Sequence, residues 1–182
     1  MTTPKSFRTN LFSAFAGMAL LLPLGCTTEP AVPDPAVEAA AAVERTRKQV
    51  RMLDDLYKTA VVLITTHYVN DSNSLPAASA ANALFDAMKQ KGWHEVRLID
   101  ATGSPFLEKN APTAGFETEA VAKLNAGEAY YDQVVERDGK SYLQAATAVP
   151  VVMEKCIMCH PNYEGVEAGK AIGALAYTLP VE

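Results

Sequence analysis

The chain has 182 residues, of which 49% are hydrophobic and 20% charged, with a formal net charge of −5. That length, with a mean hydropathy of +0.01, fits one domain with a buried core and an attached leader or tail. Without Lys5 and Arg8, the basic residues that precede Cys26, 14 basic residues stand against 21 acidic ones; a net of −7 excludes nucleic acid as a partner, because phosphate binding needs clustered Lys and Arg.

In chain order, residues 1–25 read as a lipoprotein-type signal peptide. MTTPKSFRTN is a short positive n-region, and LFSAFAGMALLLPLG is a charge-free run too short for a spanning helix. The run ends in LPLGC, a small residue before a cysteine, as in signals whose cysteine is lipidated and becomes the new N-terminus. Cys26 is the expected lipidation site. Pro23 and Leu24 depart from the commonest pattern, and an ordinary secretory signal with an incidental cysteine is the alternative. Either way the chain is expected in the periplasm, held to a bacterial membrane by a lipid anchor or soluble there. No later stretch approaches eighteen apolar residues, so no second membrane span is expected.

Residues 26–35 carry three prolines and read as a tether, leaving 36–182 as the domain. A long helix is expected from about Pro35 to Val69, with an apolar seam of Val50, Leu53, Tyr57, Ala60, Ile64 and His67 at steps of three and four. Arg47, Lys48, Arg51, Asp54 and Asp55 are read as lying off that seam. NDSNSLP breaks the pattern, and a second helix with Leu84, Phe85 and Met88 follows, ended by Gly92. HEVRLID has strand character and closes on the turn DATG. FETEAVAKLNAG is a third helix, with Phe116, Ala120 and Leu124 on one face and Gly127 as its stop. AYYDQVVE and SYLQAATAVPVV flank RDGK, and an Asp-Gly between two such runs signals a hairpin. IGALAYTLPV is the final strand. Helices followed mainly by antiparallel strands predict an α+β domain.

Between the hairpin and that last strand lies EKCIMCHPNY, in what reads as a connecting loop. Two cysteines three apart, with a histidine directly after the second, suit zinc, a redox dithiol or covalent haem. A structural zinc site usually takes four ligands, often two C-x-x-C pairs, and no second pair exists. A thioredoxin-like dithiol sits after an early strand at the start of a helix in a βαβ unit, and no such unit surrounds this pair. Haem attachment explains more. Each thiol can form a thioether with a haem vinyl group, and the adjacent histidine reaches the iron as proximal ligand. Such attachment takes place outside the cytoplasm, where the leader independently directs the chain. Cys156 and Cys159 are the expected haem thioethers and His160 the axial ligand of one covalent haem c.

The second half of the chain resembles a family of PAS-like domains that bind c-type haem. The resemblance rests on VRLIDATGSPFLEKNAPTAGFETEAVAKL, GKSYLQAATAVPVVMEKCIMCH and IGALAYTLPVE, and covers roughly residues 50–182. Members occur alone as exported proteins or as the extracytoplasmic sensing region of signalling kinases and related receptors. Asn110, Pro112, Phe116, Glu117, Pro150, Gly173 and Pro180 stand at positions of the family pattern. The resemblance implies a PAS-like antiparallel sheet with a long N-terminal helix and a haem-attachment loop before the last strand. Members often carry a Gly after the haem histidine, where this chain has Pro161. No kinase or receptor module follows Glu182, so another polypeptide is expected to read the state of the domain.

His67, on the expected seam, is the candidate for the other face of the iron, against the alternative of a core histidine bonded to backbone. His94 is expected to be exposed, Met153 and Met88 are further candidates, and Tyr68, Tyr130 and Tyr131 are read as packing residues. The expected function is a redox or small-gas sensing or binding module, with NO, CO or O2 as ligand and a signalling or redox partner protein. A periplasmic electron carrier is the alternative. No acid-base constellation accompanies the motif, so enzymatic activity is not expected.

Overall fold

In a computed structural model of the chain, the structure describes residues 34–71 and 76–182. The leader, Cys26 and most of the tether lie outside the described residues. Helix α1 spans Pro35–Tyr68; Asp34 caps it by accepting from the Ala36 amide at 2.9 Å, and Pro35 takes the first helical position, where no N–H is needed. Thirty-four residues make it about 51 Å long. Among the described residues, no helix is long and apolar enough to cross a membrane.

Helix α2 (Ala77–Gln90) stops where the Gly92 amide turns back to the Lys89 carbonyl, with Gly92 at φ 76°. Strand β1 (Glu95–Asp100) is followed by a loop and then α3 (Phe116–Asn125). Strands β2 (Tyr130–Arg137) and β3 (Lys140–Pro150) form the expected hairpin. Its turn is Asp138-Gly139, both with positive φ, which matches the twist of the flanking strands. A short helix, α4 (Glu154–Cys159), precedes β4 (Ala171–Pro180).

The sheet is antiparallel throughout, in the order β1-β4-β3-β2, so the last strand of the chain lies inside it. Side chains alternate between two buried faces. One carries Val96, Leu143, Ala145, Leu175, Tyr177 and Leu179 against Val50 and Tyr57 of α1 and Phe85 of α2. The other carries Ile99, Ala146, Ala174 and Ala176 against Ala120 and Leu124 of α3. The result is a three-layer α+β, PAS-like domain. Gly173 allows β1 and β4 to approach closely: a Cβ there would lie 2.8 Å from the Ile99 carbonyl oxygen.

Two sequence expectations about α1 are corrected. The buried residues of the helix are Thr46, Val50, Tyr57 and Thr65, and His67 is exposed. The expected seam averaged about 3.4 residues per step, and against 3.6 per turn it lags by about 100° between Val50 and His67. Asp54, read as facing outward, instead points at the sheet. Its Oδ1 accepts from Thr147 Oγ1 at 2.6 Å and from the Tyr177 hydroxyl at 2.9 Å, and its Oδ2 pairs with Lys58 at 2.9 Å. Arg47 likewise reaches across to Asp132 of β2 with two hydrogen bonds. The long helix is thus held to the sheet by polar ties as well as by apolar contact.

Candidate functional site

Residues 151–170 leave the sheet at Pro150 and return at Ala171, partners in the β3–β4 ladder. Asp100 and Gly173 pair at that same end of the sheet. The segment was expected to be a loop, and it contains α4. The Cys156 amide bonds the Met153 carbonyl at 3.1 Å and the His160 amide bonds the Cys156 carbonyl at 3.0 Å, so the cysteines lie within the helix and His160 ends it. A spacing of three on a helix puts Cys156 and Cys159 on neighbouring parts of one face. Both are half-buried, free thiols.

The His160 imidazole packs between two aromatic rings. Tyr163 stacks on it at 4.9 Å and 24° between planes, and Phe106, from the loop after β1, meets it edge-on at 6.0 Å and 88°. His160 Nδ1 is buried and has no hydrogen-bond partner among the described residues. Such an orphan is uncommon in a folded protein and costs about 1–3 kcal/mol where it stands alone. Burial also pushes the His160 pKa below its ordinary value, keeping the ring neutral, the form that binds metal. The Tyr163 phenol is pushed up, first by burial and then by the nearby Asp100 and Cys156.

Lys155, the residue before Cys156, joins α4 to the end of α1. Its ammonium donates to the carbonyls of Val69 at 2.8 Å, Thr66 at 2.9 Å and Thr65 at 3.3 Å. Those carbonyls belong to a helix end that has no glycine cap, since Val69 continues in extended conformation. His67 therefore lies on a turn fastened to the thiol-bearing helix, although the structure shows no contact between His67 and His160. The other histidine is at the far end of β1, where Glu95 pairs with Thr178. His94 was expected to be exposed; it is half-buried and shares a 2.7 Å hydrogen bond with the Tyr57 hydroxyl. Met88 is half-buried in α2, and Met153 is the residue before α4. Of the tyrosines, Tyr130 bonds Asp132, Tyr131 stacks on Phe116, and Tyr68 is exposed.

The arrangement fits a bulky apolar group better than a metal ion. Among the described residues no set of three or more His, Cys, Asp or Glu gathers around a point, so a zinc site finds no further ligands. Large apolar side chains stand exposed on and beside the same segment: Phe106 at 77%, Val152 at 58% and Met158 at 40%. Of two clefts of about 360 and 310 Å³, the second borders the end of the connection at Glu167, Gly169 and Lys170, and neither is lined by Cys156, Cys159 or His160. Two thiols, a neutral imidazole and exposed apolar side chains are together a donor set and a surface that suit a bulky, apolar, metal-bearing cofactor.

One sequence element has a structural role that its resemblance did not reveal. Glu117, buried at the start of α3, accepts from Arg97 Nη1 at 2.7 and 2.8 Å and from both the amide and hydroxyl of Thr113. Arg97 Nη2 then donates to the carbonyls of Lys109 and Ala111. The Asn110–Glu117 element is a clamp on the loop that carries Phe106.

A family model described as Tll0287-like matches residues 31–180. Among solved structures, that of the cyanobacterial haem protein Tll0287 aligns with 82% of this chain and 97% of its own at a TM-score of 0.50 and 11% sequence identity, a likeness of fold. No curated protein sequence matches significantly.

Proposed function

Given that the chain belongs to the Tll0287-like family, we propose that it is a c-type haem protein acting as a redox or small-gas sensing module. Two unpaired, half-buried thiols on one helix, ended by a histidine that burial keeps neutral, carry this reading. Cys156 and Cys159 would hold the haem and His160 would ligate its iron. Each thiol would add its S–H across one vinyl double bond, sulfur to the inner carbon and hydrogen to the terminal one, with no oxidant or reductant consumed. Bound haem supplies one-electron chemistry and a position for NO, CO or O2. Haem binding is supported by the relative named above, which is a haem protein.

Sensing is supported by Lys155. A change of state at the thiol-bearing helix reaches the last turn of α1 through three hydrogen bonds. On this reading His67, on that turn, would be the second ligand of the iron, and the module would be no enzyme. Residues 1–25 are its signal peptide, Cys26 its lipid anchor, 26–35 its tether and 36–182 its haem domain on the periplasmic side of the membrane, where a partner protein reads it. A second reading is an electron carrier, favoured by the exposed apolar side chains around the motif, a surface on which a redox partner could also dock.

The test is expression with a c-type cytochrome maturation system. Peroxidase-stainable haem should survive a denaturing gel, and Cys156→Ala with Cys159→Ala should abolish it; haem removed by acid-acetone would overturn covalent attachment. His67→Ala should shift a six-coordinate low-spin spectrum toward five-coordinate and speed CO binding. Gas binding that is slow in the wild type and faster in His67→Ala supports sensing, whereas fast electron exchange without gas binding supports the carrier. Cys26→Ser should block processing by the lipoprotein signal peptidase.

A further inference from the structure

We propose that Tyr163 is a positioning residue that fixes the plane of the His160 imidazole, an inference that rests on the reading of His160 as the axial ligand. A metal-bound histidine is ordinarily oriented by a hydrogen bond from its other ring nitrogen to a carbonyl or carboxylate. His160 lacks this: Nδ1 is buried without a partner. Something else must fix the ring, and the chain builds it in the next three residues.

Pro161 opens a 3₁₀ turn over Pro161–Tyr163, in which the Tyr163 amide bonds the His160 carbonyl at 2.9 Å. Proline suits this position because its φ is already fixed and it has no amide to satisfy. In 3₁₀ geometry, side chains at i and i+3 eclipse. The phenol of Tyr163 therefore falls over the imidazole of His160, at 4.9 Å and 24° from parallel, while Phe106 closes the ring edge. Pro161, the departure from a glycine after the histidine, thus acquires a purpose. A glycine there would leave the turn, and the stacked ring, free to move.

The test compares Tyr163→Phe, Tyr163→Leu and Pro161→Gly with the wild type, with and without haem. In the haem-free protein, the order parameter of the His160 ring C–H vector should stay near ~0.85 in the wild type and Tyr163→Phe. It should fall below ~0.6 in Tyr163→Leu and Pro161→Gly. In the ferric haem-loaded protein, the low-field electron paramagnetic resonance line should remain narrow in Tyr163→Phe and broaden in the other two. A His160 ring that stays ordered in Tyr163→Leu, or a Tyr163→Phe variant as disordered as Tyr163→Leu, overturns the stacking role. A wild type that takes up no haem removes the haem reading instead, and the haem-free measurement still decides this inference.

Discussion

The Lys155 ammonium lies 2.8 Å from the carbonyl of Val69, the residue at which α1 gives way to extended chain. A cation placed on the open carbonyls of a helix C-terminus is favoured both by hydrogen bonding and by the helix dipole. Lys155→Met keeps the aliphatic length and removes the donors. It should cost about 1–2 kcal/mol in urea unfolding and speed hydrogen exchange in the last turn of α1. If haem state is passed through this link, loading should alter exchange in that turn in the wild type and leave the variant unchanged.

Asp54→Ala should cost about 2–4 kcal/mol, because it strands the Tyr177 and Thr147 hydroxyls that donate to it. Tyr177→Phe, which leaves Asp54 two other donors, should cost about 1 kcal/mol. A double-mutant cycle between the two positions should give a non-zero coupling.

Gly173→Ala should lower the thermal midpoint, by about 1–3 kcal/mol of stability, because the new methyl meets the Ile99 carbonyl at 2.8 Å. The obstacle is backbone in a paired strand and cannot rotate away. A variant as stable as the wild type would show that β1 can shift.

Burial holds the His94 pKa below its ordinary value. The unfolded chain then takes up the proton more readily than the folded one. The stability contributed by the neutral ring is complete above the unfolded value of about 6.5 and is lost as pH falls from there through the folded pKa. In the haem-free protein, the urea midpoint should drop between pH 7.5 and 5.5, and His94→Gln should reduce that drop. His160, also lowered by burial, adds a slope of the same sign, so a residual dependence remains.

The elements were largely legible because their signals are local. Pro35 marks the start of α1, Gly92 stops α2, and Asp138-Gly139 turns the hairpin. Cys156, Cys159 and His160 stood out because their spacing suits only a few chemistries, and the structure places both cysteines in α4 with His160 at its end. The orientation of a long helix was harder, since a small error in periodicity accumulates, and over five steps it carried His67 off the buried face. Asp54 shows a second limit: a charged residue beside a seam reads as solvated unless its donors, here 93 and 123 residues away, are known. His94 and Tyr57 are a pair of the same kind. The packing of Tyr163 on His160 could have been inferred from Pro161, whose fixed φ favours a tight turn directly after the histidine.

The interior place of β4 has a consequence for how the molecule assembles. Among the described residues, β1 pairs with β4 alone, and β4 follows the other three strands in the chain. Until Ala171–Pro180 has paired, the sheet lacks the strand joining its two halves, and the connection bearing Cys156 and Cys159 is pinned only at its β3 end. Pairing across so many residues is slow compared with local helix formation. On the proposed reading, the two thiols sit on a connection that stays pliable until β4 pairs, and that open state is the one in which haem would be attached.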